Sequence, residues 1–386
     1  MDEGSSKLCG TQRAAAGVLI GLLVLCFAIM TLGGFVRLSK SGMAIPEWPV
    51  FTKKITILAD GSVQKEKSVL PPRTEEGWET LRQTFIKEVP SFDSGIALSA
   101  FKRMFFIEWS HRAAAFTVSL VLLTYVAMST FSRTLRPKLM KLSLATAAVL
   151  AVQITLGGIL VRLDLKAEAL ATHLVGAFIF TSMTLWALLR VLHPAAPKSE
   201  RRGPNPIFPI AAMVYALTLC QIFSGGLMAG TEAGHMINTW PMMGDNLVPP
   251  GMIDSSRNFI ANFTENVVMV QFFHRWFAFI AGIAMLYLVV RSLTVEVSRQ
   301  ARWFLRGLIA VVALQITLGI FTLKTGVQPH LALTHQAVGL VLLLTLLSIV
   351  YETKNHKVVA EEALAEADER KSAMGSIAQQ GGRSHA

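Results

Sequence analysis

Residues 14–37 read AAAGVLIGLLVLCFAIMTLGGFVR, a run of apolar and small residues with no charge before Arg37. A helix needs about 20 such residues to cross the hydrocarbon core of a membrane, because each residue adds about 1.5 Å. Seven further runs of similar length follow, so the sequence predicts eight membrane-spanning helices. Their expected ranges are 14–37, 103–131, 139–162, 170–192, 207–230, 268–292, 302–324 and 331–351.

The composition of the chain is typical of a polytopic membrane protein. Of its 386 residues, 52% are hydrophobic and 16% are charged, and the mean hydropathy is +0.49. These values exclude a disordered chain, a collagen and a coiled coil. The net charge is +11, but Lys and Arg concentrate in short loops between the apolar runs, so they indicate topology rather than a nucleic-acid partner. We predict an all-α integral membrane protein.

Basic loops predict the orientation in the membrane. The short loops after the second, fourth and sixth runs are rich in Lys and Arg, and the positive-inside rule assigns them to the cytoplasm. Both termini are then cytoplasmic, and the long loops 38–102 and 231–267 face outward. No Arg- and Ser-rich presequence precedes the first run, which favours the bacterial inner membrane over the mitochondrial one.

Two segments outside the runs also have helical patterns. A Glu- and Ala-rich stretch at 358–373 predicts a helix in the C-terminal tail, followed by disorder. The first outer loop predicts an interfacial helix, because four apolar residues recur there at helical spacing. They are Trp78, Leu81, Phe85 and Val89.

The two halves of the sequence repeat each other. The segment QITLG at 153–157 recurs 162 residues later at 315–319, and Gly33 and Gly34 recur 192 residues later as Gly225 and Gly226. Because each half holds four spans, the two units are expected to share one orientation. The predicted organisation is a tail at 1–13, a half at 14–192, a linker at 193–206, a half at 207–351 and a tail at 352–386.

Four histidines recur within this repeat, near the outer ends of the second, fourth, sixth and eighth spans. His111 and His173 of the first half match His274 and His335 of the second. Ionisable side chains inside spans are costly and face a bundle interior, which makes each one a candidate site. A packed, hydrogen-bonded histidine is the alternative for any single one, but the recurrence of all four argues against it.

Two imidazoles in each half suit an iron whose other ligands come from a porphyrin. A zinc or copper site would require further Cys, Asp or Glu ligands, and none repeats with the histidines. Four basic residues near these positions are candidates either for pairing with haem propionates or for snorkelling to the interface. They are Arg112 and Arg275, beside the ligands, and Arg162 and Lys324, at the ends of spans three and seven.

Two further features bear on function. All four histidines lie at the outer level, so two haems would lie side by side, which disfavours electron transfer across the membrane. Glu108 precedes His111 by one helical turn, where the second half has Gln271. A carboxylate in one half suggests proton chemistry there, although a Glu near the interface is often simply solvated.

With these residues in view, the chain resembles the haem A synthase family. The long first loop, with Pro71-Pro72 and Trp78, is similar to the branch found in alphaproteobacteria and mitochondria. The resemblance covers nearly the whole chain apart from its tails. The matching stretches are SGM at 41–43, EW at 47–48, EWSHR at 108–112, NTWP at 238–241, QFFHR at 271–275 and THQ at 334–336.

The resemblance implies an eight-helix enzyme that oxidises the C8 methyl group of haem O to the formyl group of haem A, for cytochrome oxidase biogenesis. It implies that Glu108 takes part in this oxidation. It also implies haem O synthase and an oxidase assembly pathway as partners, and leaves the electron donor and a homo-oligomer open. The implied sites are His111, His173, Arg112 and Arg162 for the substrate haem, and His274, His335, Arg275 and Lys324 for a permanent haem b.

Two other functions stay open at this point. One is a dihaem b-type cytochrome that oxidises quinol without chemistry on haem. The other is a transporter built on parallel repeats, with histidines that couple protons. The difference between Glu108 and Gln271 favours the enzyme, whereas equivalent halves would favour the cytochrome.

Overall fold

The computed structural model describes residues 8–45, 55–57, 63–65, 71–89, 95–163, 165–192 and 204–354. Within these ranges, eight helices are long and apolar enough to cross a membrane, which confirms the predicted number. Two shorter helices lie in the outer loops. The helices are α1 Gly10–Leu38, α2 Glu75–Glu88, α3 Leu98–Phe131, α4 Arg136–Arg162, α5 Ala167–Leu192, α6 Phe208–Gly230, α7 Phe259–Glu265, α8 Val267–Ser292, α9 Arg299–Lys324 and α10 Pro329–Lys354.

The spans extend a few residues beyond the apolar runs. The helix α3 begins at Leu98 rather than 103, because its first turns pack against α2 instead of ending at the membrane surface. The helix α9 begins earlier because Ser298 caps it, with Oγ accepting a hydrogen bond from the Ala301 amide at 3.1 Å. The tail helix predicted at 358–373 lies outside the described residues.

The first outer loop contains the predicted interfacial helix. Thr74 caps α2 by accepting a hydrogen bond from the Gly77 amide at 3.1 Å. The indole of Trp78 packs edge-on against the ring of Phe105 at 5.1 Å, which buries this face of α2 on α3. A helix at the predicted position is confirmed.

A small β-hairpin is an addition to the predicted all-α fold. Its strands, β1 Ile55–Ile57 and β2 Val63–Lys65, pair antiparallel within the first outer loop. The sequence did not predict this hairpin, because strands of three residues are too short to show the alternation of apolar and polar residues that identifies a strand. The membrane-spanning part of the described chain is helical throughout.

The eight spans pack as two groups of four. The helices α1, α3, α4 and α5 surround one apolar core, in which Leu19, Leu122 and Leu139 are buried. The helices α6, α8, α9 and α10 surround a second core. The groups meet where α1 and α5 contact α10 and where α5 contacts α6, and Phe178 and Leu343 are buried at this junction.

Large apolar side chains cover the outside of the spans. Leu123 is 61% exposed and Ile283 is 66% exposed, each in the middle of a helix. A continuous surface of this kind is unfavourable in water, at about 25 cal/mol for each Å² of apolar area, but not in lipid. The protein is therefore an integral membrane protein.

Candidate active site

Each of the four candidate iron ligands faces a glycine on a neighbouring helix. A Cβ atom at Gly33, Gly225 or Gly319 would lie 3.0–3.2 Å from the nearest imidazole atom and would crowd the ring, whereas one at Gly157 would lie at 3.6 Å, an ordinary contact. The four contacts join α1 with α3, α4 with α5, α6 with α8 and α9 with α10. The pairs are Gly33 with His111, Gly157 with His173, Gly225 with His274 and Gly319 with His335.

The glycines place the four imidazoles at one end of the bundle. Each glycine lies five residues before the last residue of its helix, which ends at Leu38, Arg162, Gly230 or Lys324. Reasoning from the sequence did not assign these glycines to the site, because small residues at span ends usually serve packing alone. The available signal was their recurrence between the halves, 192 residues apart for Gly33 and Gly225 and 162 residues apart for Gly157 and Gly319.

The two imidazoles of each group of helices interact electrostatically, His111 with His173 and His274 with His335. The Nδ1 atoms of His173 and His335 are buried, and neither has a hydrogen-bond partner in the described part of the chain. Leaving such an atom unsatisfied costs about 1–3 kcal/mol. Paired imidazoles on glycine-lined helices therefore fit a haem iron held from both sides.

Glu108 is buried, so the alternative of a solvated interfacial carboxylate is wrong. The residue is 5% exposed, and its Oε1 accepts a hydrogen bond from Arg112 Nε at 2.6 Å. Arg112 is also buried, and its Nη2 donates to the Ile45 carbonyl in the loop after α1. The first group of helices thus contains a buried carboxylate whose charge is balanced by a guanidinium one turn away.

The matching position in the second group has no ion pair. Gln271 is fully buried, and its Nε2 donates to the Ile237 carbonyl at 3.0 Å. Arg275 donates from Nη2 to the Thr239 carbonyl at 2.6 Å, and its guanidinium lies 5.4 Å from the centre of the Trp240 ring. Its Nη1 is buried and lacks a hydrogen-bond partner among the described residues. That atom suits an anionic group such as a propionate.

The other two predicted basic residues have a different setting. Arg162 and Lys324 are the last residues of α4 and α9, and both are exposed. This setting suits snorkelling at the interface. The structure therefore brings Arg112 and Arg275 into the interior and leaves Arg162 and Lys324 at the helix ends.

His274 has polar neighbours that the sequence analysis did not identify. Its Nδ1 lies 2.8 Å from Ser224 Oγ and 3.1 Å from Gln221 Nε2, both on α6. Near His335, the other candidate ligand of the second group, Gln315 Nε2 lies 3.5 Å from the imidazole Nε2. The second group of helices therefore surrounds its histidines with hydrogen-bonding side chains.

The fold and site define an integral membrane protein with two histidines in each of its two groups of four helices. Residues 16–347 match the family described as COX15-CtaA, cytochrome oxidase assembly protein. Because the match covers most of the sequence, the chain belongs to this family.

Curated relatives with the name heme A synthase are similar over most of their length. The protein from Rhizorhabdus wittichii is 32% identical over 344 residues, which cover 87% of this chain and 92% of the relative. The protein from Chelativorans sp. is 33% identical over 83% of this chain and 86% of the relative. The protein from Rhodospirillum centenum is 33% identical over 87% of this chain and 89% of the relative.

Proposed function

We propose that this protein is a haem A synthase, which oxidises the C8 methyl group of haem O to the formyl group of haem A. Family membership and the names of the curated relatives support this activity. The observation that carries it at the site is the buried Glu108–Arg112 ion pair on the helix of His111, where the second half has Gln271. A dihaem cytochrome would have no need of this difference.

The two halves have separate roles in this proposal. The half at 14–192 binds haem O between His111 and His173, and the half at 207–351 binds haem b between His274 and His335. Arg275 is available for a haem b propionate, because its Nη1 has no hydrogen-bond partner among the described residues. Haem b, when bound, supplies a one-electron redox centre.

Glu108 is the proposed acceptor of protons released as the methyl group of haem O is oxidised, and the electrons would leave through the one-electron centre that haem b supplies. Arg112 Nε donates to the Glu108 carboxylate at 2.6 Å, so the guanidinium offsets part of the cost of burying this charge. The same guanidinium also donates to the Ile45 carbonyl, which fixes the loop after α1 over the carboxylate. Burial of this pair excludes water from the position where the proton is taken up.

The remaining parts of the proposal concern partners and orientation. Haem O synthase is the expected source of the substrate, and the assembly of cytochrome oxidase is the expected use of haem A. Both termini are cytoplasmic, and the four imidazoles lie towards the outer side of the inner membrane. Two repeated four-helix units of one orientation are supported by left-handed residues at matching positions, Lys40 with Glu232 and Leu165 with Val327.

Replacing Glu108 with Gln tests the proposal. Gln has nearly the same shape and can still accept a hydrogen bond from Arg112, so both iron sites are expected to form. Without a carboxylate to accept the proton, product is expected to stop at haem O or at the partly oxidised alcohol. The measurement is the ratio of haem A to haem O and hydroxylated haem in pigment extracted from cells making the variant.

The matched control is Glu79→Gln, which removes the carboxylate of the partly buried Glu79–Arg82 pair on α2 and should leave the ratio at the parental value. Gln271→Glu is less suitable, because it would place a carboxylate against the Ile237 carbonyl. A Glu108→Gln protein that makes haem A at the parental level would contradict the assigned role. Bound haem without any product in the parental protein would favour the dihaem cytochrome.

A further inference from the structure

A serine on α6 lies against the Nδ1 atom of His274. Ser224 Oγ lies 2.8 Å from the Gln221 carbonyl oxygen and 2.8 Å from His274 Nδ1. A carbonyl oxygen can only accept, so the hydroxyl hydrogen is donated to it. Gln221 Nε2, which can only donate, lies 3.1 Å from the same Nδ1. If Nε2 of His274 holds the iron, Nδ1 carries the proton, and Ser224 Oγ is then the acceptor within reach.

Gln221 holds the backbone of the same histidine. Its Nε2 donates to the His274 carbonyl at 3.0 Å. Ser224 is 1% exposed, so water does not compete with its bonds. The ring turns its Cε1 edge towards Gly225, at 3.2 Å from the position of a Cβ atom there. Two side chains and one glycine of α6 therefore orient the imidazole before any ligand arrives.

The first half lacks this support. The residues 192 positions before Gln221 and Ser224 are Ile29 and Leu32, which have no side-chain hydrogen-bonding groups. Near them, His111 turns its opposite edge towards α1, with Nε2 3.1 Å from the position of a Cβ atom at Gly33. Neither apolar side chain can hold one tautomer or one orientation of the His111 ring.

We propose that Ser224, assisted by Gln221, is a positioning residue that keeps the haem of the second half permanently bound. In the first half, Ile29 and Leu32 leave His111 unsupported, so that haem O can enter and haem A can leave. This inference rests on the proposed function, because it requires a resident haem b between His274 and His335. It explains how two similar pairs of imidazoles retain one haem and exchange the other.

Haem release from the purified protein tests the role of Ser224. The protein in detergent is mixed with excess apomyoglobin, and transfer of haem b is followed by absorbance. Loss of a hydrogen-bond partner of a metal-ligating histidine typically weakens metal affinity about 10–100-fold. Ser224→Ala is therefore expected to release haem b roughly tenfold faster, whereas Ser224→Thr, which keeps the hydroxyl, should release it at the parental rate.

A second hydroxyl on α6 provides the matched control. Thr218 is buried and donates to the Val214 carbonyl at 2.8 Å, within its own helix. Thr218→Ala is expected to release haem b at the parental rate. The midpoint potential separates positioning from general loosening, because an imidazole without an acceptor for Nδ1–H donates less electron density to iron. Ser224→Ala should raise the haem b potential and Thr218→Ala should not.

The converse change applies to the first half. Leu32→Ser introduces a hydroxyl beside Gly33, as Ser224 stands beside Gly225, and more haem O should copurify with this variant than with the parental protein. Parental release and parental potential for Ser224→Ala would overturn the inference while leaving haem A synthesis intact. A parental protein that purifies without haem b would instead contradict the proposed function.

Discussion

At the scale of single residues, each candidate imidazole packs directly against a glycine on another helix. A Cβ atom at Gly319 would lie 3.0 Å from His335 Cε1, closer than ordinary contacts allow. The glycine therefore leaves the ring free to turn its nitrogen towards the interior. His335 Nδ1 is buried without a hydrogen-bond partner in the described ranges, so its polar requirement is best met by a bound ligand.

Replacement of His274 or His335 should abolish the haem b spectrum. Two neutral imidazoles produce a low-spin iron, and loss of either one removes half of the axial ligation. The measurement is the reduced-minus-oxidised spectrum of purified protein, with membrane insertion checked by immunoblot of the membrane fraction. His330→Ala changes an exposed histidine at the start of the same helix and should leave the spectrum unchanged. A full spectrum from both His274→Ala and His335→Ala would show that the ligand pair is different.

At the scale of helices, glycines bring the two groups into close contact. A Cβ atom at Gly226 on α6 would lie 2.6 Å from the Ala171 Cα on α5, and one at Gly230 would lie 2.5 Å from the Ala167 Cα. These are backbone atoms, so a side chain there would force the helices apart. Between α1 and α10, Gln336 Nε2 donates to the Met30 carbonyl at 2.7 Å. Both crossings join helices that carry a histidine or its facing glycine.

Gly226→Ala should destabilise the protein because α5 and α6 cannot separate without moving both groups. Overpacking at such a contact costs about 1–3 kcal/mol. Thermal unfolding in detergent, followed by circular dichroism, would measure the loss. Gly21→Ala on α1 is the control, because a Cβ atom there meets nothing within 4 Å and Ala favours the helix by about 0.5–1 kcal/mol. Equal melting temperatures for the two variants would contradict the tight crossing.

At the scale of the whole molecule, Arg37 forms hydrogen bonds between the first group of helices and the second. Arg37 at the end of α1 donates from Nε to the Ala229 carbonyl at 3.1 Å and from Nη2 to the Gly230 carbonyl at 3.2 Å. These carbonyls belong to the last turn of α6, where helical partners are absent. Burial raises the pKa of the Glu232 carboxyl, but the positive charges of Lys40 and Arg37 together lower it by more. The pKa of Glu232 therefore lies below its usual value. Glu232 is therefore ionised and strengthens the link.

The orientation of the whole molecule can be tested with a cysteine that the chain already has. Cys9 is exposed at the start of α1, and its side of the membrane is predicted to be cytoplasmic by the positive-inside rule. A membrane-impermeant maleimide should label Cys9 only after the cells are permeabilised. Leu247→Cys, at an exposed position of the second outer loop, should be labelled in intact cells. Labelling of Cys9 from outside would reverse the topology and move the imidazoles to the cytoplasmic side.

The eight spans, the helix α2 and the candidate histidines follow from the amino-acid sequence alone. Hydropathy is a property of each segment in its solvent, so long apolar runs identify spans without knowledge of packing. The helix α2 was predictable because Trp78 and Phe85 recur at a helical period. The histidines were predictable because they recur between the halves, and a recurring ionisable residue inside a span is hard to explain by packing alone.

The surroundings of those residues depend on how the helices and loops pack against each other. The pairing of Glu108 with Arg112 could be read from their spacing. The burial of this pair depends on the loop after α1, where the Ile45 carbonyl, 67 residues before Arg112, accepts a hydrogen bond from its guanidinium. Likewise, Ser224 lies 50 residues before His274, and no local pattern joins them. Periodicity reports which face of a helix is apolar, whereas contacts between helices depend on how those faces pack. The histidines were thus readable from the sequence, and their hydrogen-bond partners were not.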